Sequence, residues 1–547
     1  MSKTTSKLLK LLFFVIFIKA VIWALLVPLW HFPDEQAHFG HVAFIAEGGE
    51  LKRHGKYPDL TEEIYISEEI LGTKRDVQGN NKFTFHPEYR LDYSDNLIGL
   101  EEEKIKSLPL ETRKNFVIKE SAYYPHFFYQ ISSQIYKIFY KTNLFIRVFA
   151  IRLFWLLAYL LMIWFVFKIA QIIFPKNPLI VFTITILTGF HPMLSFVSAG
   201  VTSDNFYNLL FTAVIYFGLK IINKPKWQDF LGLAFALGLG MINKQQFFIA
   251  FFIITPSLFF ALYKKPKKTL KYFLFLPLAL LLAYLLATAR ITNLLNLVMQ
   301  GKTPYLNLVN SANQAKPDYK LSQHLIWTFE HTIKEVLPWY WGVFNWLSVV
   351  LPRWVNRVLM RLLAIAGLGL IIKLFNIIKQ KKLTRQDLLL GFIFWTAIAY
   401  YVALMVWDWA FTKNNGFSFG IQGRYYFPVI VSHMILLFVG INYLVQVIGK
   451  LVKKFFKKNI TDYLLLIINY SLCLWFIFLN FIALYTVANS YYDTSNLKTF
   501  IIQASQYKPF FAKGNWLISI LMLYIMISII LLWQLSRIVL KQVKNEK

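Results

Sequence analysis

Long uncharged apolar runs alternate with polar breaks from one end of this chain to the other. The runs are continuous and do not alternate residue by residue. They therefore predict membrane-crossing helices and exclude the strands of an outer-membrane barrel. Twelve runs are legible, at about 8–30, 145–170, 178–197, 204–223, 229–243, 246–263, 270–289, 358–379, 387–407, 426–448, 461–488 and 515–536. The fifth is short for a hydrocarbon core of about 30 Å and predicts a tight hairpin with the sixth. The expected fold class is an all-α polytopic membrane protein of about twelve transmembrane helices. Met1–Trp30 is longer than a signal-peptide core and no small-residue cleavage site follows it, so it is expected to remain as the first span.

The breaks divide the chain unevenly. Residues 1–30 form the first span, 31–144 a long first loop and 145–289 a bundle of spans. Residues 290–357 make a second large loop segment, and 358–547 hold the C-terminal spans with their own outer loops. Within the first loop, Ser121–Lys141 is aromatic-rich, apolar and opened by Pro125. It predicts a helix lying along the membrane surface. The Trp-rich stretch 322–350 predicts a second such element. For these stretches the alternative is a thirteenth span or a re-entrant segment.

Composition agrees with the pattern: 57% of residues are hydrophobic and 16% charged, against about 25% charged in soluble domains. The net charge of +30 could suggest a nucleic-acid partner, but its distribution argues against one. Residues 31–143 hold 18 acids and 14 bases, whereas the remainder holds 44 bases and only 10 acids. The bases cluster in alternate loops. Lys3, Lys7 and Lys10 are followed by Lys176, by Lys224 and Lys226, and by Lys264, Lys265, Lys267 and Lys268. Lys379–Arg385, Lys450–Lys458 and Lys541–Lys547 continue the series. An even span count keeps all of them on one face. By the positive-inside bias that face is cytoplasmic, with both termini inside the plasma membrane and the long loops extracytoplasmic. The single cysteine, Cys473, excludes an intramolecular disulfide and a Cys-based metal site. No phosphate-binding Gly-x-x-x-x-Gly-Lys-Ser/Thr loop is present, which excludes that type of ATP motor.

Candidate chemistry gathers where spans meet the outer face. Asp34 and Glu35 follow the first span directly, in His31-Phe32-Pro33-Asp34-Glu35-Gln36-Ala37-His38-Phe39. Two carboxylates there can act as a general base or bind a cation. Equally, they can cap a short helix starting at Pro33. Asp204, in Thr202-Ser203-Asp204-Asn205, opens the fourth span and is either a site residue or an ordinary cap. His191-Pro192 interrupts the third span, and a lone His there is packed or functional. Lys244 lies in a short outer turn, against the positive-inside bias, as a surface lysine or as an ammonium for a phosphate. Arg424, in Gln422-Gly423-Arg424-Tyr425-Tyr426-Phe427-Pro428, offers a planar fork for phosphate oxygens or snorkels at the boundary. Lys19 falls in the middle of the first span, with snorkelling as the expected account. Asp34, Glu35 and Asp204 could approach a divalent cation such as Mg or Mn, a question the sequence leaves open.

In order along the chain these segments resemble the GT-C superfamily of polytopic lipid-linked-sugar glycosyltransferases. The resemblance is to its protein O-mannosyltransferase-like and aminoarabinose-transferase-like members. Pro33-Asp34-Glu35 resembles their first-loop signature, and Tyr124-Pro125-His126-Phe127-Phe128-Tyr129 their interfacial Pro-Pro-Leu-Tyr-Tyr helix. His191-Pro192 with Ser198–Asp204, then Asn243-Lys244, then Gln422-Gly423-Arg424-Tyr425 resemble three further motifs. His126 stands where Pro is frequent and Ser203 where Asn is common. The resemblance implies a helical bundle with its site on the outer face and a polyprenyl-phosphate-linked sugar as donor. It implies Asp34 as the general base, with Glu35 orienting the acceptor or substituting as base. It also implies Arg424 and Lys244 on the departing lipid phosphate. His38, His126, His191, Asp204, Gln422 and Tyr425 are the further substrate-binding candidates. The acceptor would be a glycan, lipid or protein hydroxyl. The alternatives are a lipid-linked-sugar transporter or flippase, and a polysaccharide polymerase or ligase.

Overall fold

Apolar runs in a bilayer must satisfy their backbone internally, and helices do so within one segment. The computed structural model describes residues 3–49, 58–76, 79–120, 127–277, 316, 318–381, 383–456 and 461–545, and helices dominate them. The first part of the chain forms α1 Lys3–Leu26, α2 Glu35–Ala46, α3 Glu62–Leu71, α4 Asp95–Lys106, α5 Phe127–Ile138 and α6 Leu144–Ile173. Next come α7 Pro178–Gly189, α8 Pro192–Ala199, α9 Asp204–Asn223, α10 Trp227–Asn243, α11 Ile249–Lys264 and α12 Pro266–Tyr272. The outer elements α13 Leu321–His331 and α14 Leu337–Trp341 are joined by a π-helical turn, Thr332–Val336. The chain ends with α15 Arg353–Gln380, α16 Arg385–Asn415, α17 Ile430–Phe456, α18 Thr461–Tyr491, α19 Leu497–Ala504 and α20 Gly514–Asn545. Two small antiparallel ladders complete the outer region. They are β1 Leu60–Thr61 on β2 Phe116–Ile118, and β3 Val343–Phe344 on β4 Val349–Val350.

Among the described residues, nine helices are long and apolar enough to cross a membrane, and α7 and α8, bent by 57° at their break, form either a tenth, broken span or a re-entrant pair. One of the twelve expected spans differs, and another lies mostly outside the described residues. The fifth is α10, whose 17 residues reach only about 25 Å. The seventh, 270–289, lies outside the described residues beyond 277, as does most of 290–317. The Ser121–Lys141 expectation becomes α5, which at 12 residues, about 18 Å, is too short to span. It buries Phe128, Tyr129 and Tyr136 against α2 and α6. The 322–350 stretch folds as α13, the π turn, α14 and the β3–β4 hairpin. It leaves Leu325, Ile326, Phe329 and Ile333 exposed.

Lys19 does not snorkel, because partners surround it inside the bundle. It is fully buried, and its ammonium donates to Tyr159 Oη at 2.9 Å, to Ser195 Oγ at 2.6 Å and to the Gly189 carbonyl. Pro192 breaks the α7–α8 rod and leaves the last carbonyls of α7 without helical partners. Lys19 and the Tyr159 hydroxyl, at 2.7 Å from the Gly189 oxygen, satisfy one of them.

Elsewhere small residues let backbones touch, as is common between helices in lipid. A Cβ on Gly440 of α17 would lie 2.1 Å from the Ala366 carbonyl oxygen of α15. A Cβ on Gly369 would lie 1.9 Å from the Gly440 oxygen. Gly440→Val is therefore expected to force α15 from α17. It should cost about 2 kcal/mol or more, read as a lower melting temperature in detergent with α16 and α18 still intact.

Candidate functional site

The site is built on the turn that leaves α1. Pro28 and Pro33 keep residues 27–33 out of helix, and Trp30 (φ 63°) and Asp34 (φ 55°) adopt left-handed backbone conformations. Non-glycine residues rarely hold that conformation without surrounding support. The support here is Arg152 of α6, completely buried in the bundle. All five of its N–H donors are used. Nη1 donates to the carbonyls of Ala24 and Val27 at 2.9 and 3.0 Å, and Nη2 to that of Pro28 at 3.0 Å. Nε reaches Glu35 Oε1 at 2.7 Å and Nη2 reaches Glu35 Oε2. One guanidinium thus caps the end of α1 and ties it to the start of α2.

Glu35 is consequently not available as a second base, which corrects the expected role. Besides Arg152 it accepts the backbone N–H groups of Trp30 at 3.3 Å and Val201 at 3.1 Å. Four donors fill a carboxylate's four lone-pair positions, and the side chain has no exposure. Glu35 is a strut joining α1, α2, α6 and the entrance to α9.

Asp34 faces the other way and keeps 35% of its side chain exposed. Its Oδ1 accepts Arg75 Nη1 at 3.1 Å, and its Oδ2 accepts Arg424 Nη2 at 3.1 Å. Burial works to raise its pKa, but the Arg424 and Arg75 guanidinium groups outweigh that and hold it down at about 2. Arg75 is anchored in turn by Glu120, whose carboxylate accepts its Nε at 2.7 Å.

The cations come from three distant parts of the chain. Arg424 opens α17's leading turn. Gly423 is needed there because a Cβ would lie 2.3 Å from the Tyr340 nitrogen of α14. The preceding arm is pinned by Asp408, which accepts Phe419 N and Ser418 Oγ at 2.8 Å each, and by His331 Nε2 donating to the Ile421 carbonyl at 2.9 Å. Lys244, at the end of α10, pairs with Asp204 at the start of α9. The neighbouring Asn243 amide donates to the Ser203 carbonyl at 3.3 Å and holds the two helix ends together. Arg424, Lys244 and Asp204 line one cleft whose apolar wall includes Tyr207, Tyr400, Trp407, Phe419 and Tyr425.

The remaining candidates divide between the cleft, its floor and the bundle interior. Tyr425 lines the cleft. His38 lies behind it, sharing a hydrogen bond with Tyr129 Oη at 2.7 Å. Burial pushes its pKa down to about 4 against the pull of Asp34 and Asp204, so the imidazole is neutral near pH 7. Gln422 accepts the Tyr425 N–H through its backbone carbonyl at 3.1 Å, and its side chain is not part of the cleft wall. His191 is a buried cap of α8, accepting Leu194 N at 3.3 Å and stacked 4.9 Å from Trp341. That packing removes it from the site. His126 lies outside the described residues. The three acids expected near a divalent cation do not converge. Glu35 faces Arg152, Asp204 faces Lys244, and Asp34 faces two arginines. Among the described residues no group of three or more His, Cys, Asp or Glu could hold a metal ion.

Sequence reasoning missed Arg75 and Arg152. Arg152 carried a usable signal, because an arginine inside the apolar run of α6 demands an acid partner. The same holds for Arg147 of α6, which pairs with Glu63 of α3 and so ties the first loop to the bundle. Arg75 sits in irregular loop where spacing carries no information.

A family comparison agrees with a membrane protein. The model of the family described as predicted membrane protein (DUF2142) matches residues 17–433. Two solved structures of ArnT from Cupriavidus metallidurans are similar to the chain at 13% identity. The one bound to undecaprenyl phosphate covers 88% of this chain and 77% of its own, with a TM-score of 0.40. The apo state covers 87% and 76%, with a TM-score of 0.38. A likeness of that depth carries no argument about the site, whose chemistry has to come from its own residues. No curated protein matches the sequence.

Proposed function

The chain belongs to the DUF2142 family of predicted membrane proteins, and within that frame we propose that its cleft is the active site of a lipid-dependent glycosyltransferase. A sugar is moved from a polyprenyl-phosphate-linked donor to an acceptor hydroxyl on the extracytoplasmic side. One observation carries this reading: a half-buried carboxylate, Asp34, pairs with Arg424, which lines a cleft together with Lys244 and an aromatic wall. A hydroxyl is a weak nucleophile near neutral pH and needs a base within hydrogen-bond reach. The leaving phosphate carries charge that fixed cations stabilise as the bond breaks. Asp34 serves as the base, Arg424 and Lys244 hold the phosphate, and the aromatic wall takes the apolar part of the donor. Glu35 holds the base's backbone in place without touching substrate. With Asp34 acting as base rather than nucleophile, the reaction is a single displacement with inversion at the anomeric carbon.

The purified chain in nanodiscs, supplied with polyprenyl-phosphate-sugars, is expected to transfer the sugar or hydrolyse the donor. Arg424→Ala should raise the donor KM by about tenfold or more, since charged partners to phosphate contribute about 1.5–3 kcal/mol each. An unchanged KM would remove Arg424 from the phosphate. A product with the donor's anomeric configuration, seen by NMR, would rule out single displacement. Donor moved between leaflets with no transfer would instead identify a flippase.

A further inference from the structure

Arg424 and Lys244, the cations of the cleft, are each answered by a carboxylate already. Arg424 has Asp34 and Lys244 has Asp204, while Arg75 beside them spans Asp34 and Glu120. An incoming phosphate therefore cannot simply add to the site. It has to take a cation from an acid.

The two arginines on Asp34 are not equivalent. Arg424 touches it through one Nη2 contact of 3.1 Å, and its Nε is buried with no hydrogen-bond partner among the described residues. A guanidinium fork prefers two parallel bonds to one anion, so this arrangement leaves half the fork unused. Asp34's side chain is 35% exposed, which weakens the pair by solvent screening. Arg75 is fixed at its other edge. Its Nε binds Glu120 at 2.7 Å and its Nη2 binds the Glu120 carbonyl at 3.3 Å, with only 10% and 8% of the two side chains exposed. The two arginines also use different oxygens of Asp34, so one bond can be released while the other stays.

Resting on the proposed function, we propose that Asp34 is exchanged between partners: phosphate entering the cleft takes Arg424, and Arg75, anchored by Glu120, keeps the carboxylate in position. Arg75 is then a positioning residue, and Asp34 becomes a competitor of the phosphate for Arg424. The exchange makes the base donor-gated. Both carboxylate oxygens are paired with arginines, and once phosphate takes Arg424, Oδ2 is free to accept the acceptor's proton. Removing one cation from Asp34 also strengthens it as a base at that moment.

The test is a binding measurement that needs no turnover. The full chain in nanodiscs is titrated with polyprenyl phosphate, and in a parallel arm with inorganic phosphate. Asp34→Asn deletes the competitor and should tighten polyprenyl-phosphate binding by about three- to tenfold. Arg75→Gln leaves Asp34 wholly to Arg424 and should weaken it by a similar factor. In the Asp34→Asn background the Arg75→Gln effect should vanish, because there is no carboxylate left to redirect. Arg424→Ala should weaken binding by about tenfold or more in every background. If Asp34→Asn fails to tighten binding, or Arg75→Gln costs the same with and without Asp34, the exchange is overturned while the phosphate role of Arg424 survives. If the wild-type chain binds neither phosphate, the exchange and the proposed function fall together. Tightening with the lipid phosphate alone supports the exchange and assigns it to the lipid-borne group, and tightening with both extends it to free phosphate. Should Arg75→Gln fail to fold, the sign of the Asp34→Asn effect still decides.

Discussion

Asp34→Asn should reduce sugar transfer by about 10²–10⁴-fold, the range for loss of a general base, while the protein folds and holds donor. Asn keeps the size of the side chain and can still accept from Arg75, so the left-handed turn at residue 34 has no reason to change. What disappears is the one carboxylate in this part of the site that, among the described residues, keeps an open face. The pH dependence follows from the two arginines. In the free enzyme the carboxyl is held at about 2, below its ordinary range, so Asp34 is ionised throughout the physiological range. Its contribution to stability has the same sign. It is fully present above the ordinary carboxylate pKa and is lost as pH falls towards about 2. The acid limb of kcat/KM, which reports the free enzyme, should thus lie well below that of kcat, which reports the complex with Arg424 drawn to phosphate. Coincident limbs would mean that the base is the same before and after donor binds. Full transfer by Asp34→Asn would remove Asp34 from the chemistry altogether.

The adjacent carboxylate should behave in the opposite manner. Glu35→Gln or Arg152→Met is expected to cost about 3–5 kcal/mol, the range for breaking a buried ion pair from one side. Either change leaves a completely buried charge or a set of α1 carbonyls without their partner. The loss should appear as less folded protein and a lower melting temperature in detergent, with kcat per folded molecule nearly unchanged. The double change Glu35→Leu with Arg152→Met should recover part of the stability, since the uncompensated charge is gone. A Glu35→Gln protein that is fully folded yet inactive would return Glu35 to catalysis. On the proposed reading, neighbouring acids in sequence divide into one that reacts and one that holds the turn on which it reacts.

This division shows where the sequence was informative. Apolar runs depend on composition over twenty residues, so the spans from Leu144 and from Asp204 and the four beginning at Arg353, Arg385, Gly423 and Thr461 were legible. The α10 span was legible as a helix but not as a crossing, because its length falls at the threshold. Asp34, Arg424, Lys244 and Tyr425 were legible because charge and glycine at span ends are unusual. The direction in which Glu35 points was not, because Asp34 precedes α2 in a left-handed conformation, and which of the two acids faces the bundle depends on Arg152, 117 residues away. His191 was left open between packing and function for a related reason: its neighbours Tyr340, Trp341 and Phe427 arrive from two remote segments. Arg75 was invisible because its role exists only once Asp34 and Glu120 are folded around it.

Lys19 carries a consequence for biogenesis. Its partners Tyr159 and Ser195 follow it by 140 and 176 residues, so α1 reaches the membrane long before they are synthesised. Until then a charge near the middle of the span costs about 2.5–3.5 kcal/mol on insertion scales. The first helix is thus a provisional guest of the bilayer. It is fully accommodated only when α6 and the broken α7–α8 pair arrive to enclose the ammonium, and assembly of this bundle has an order written into its first twenty residues.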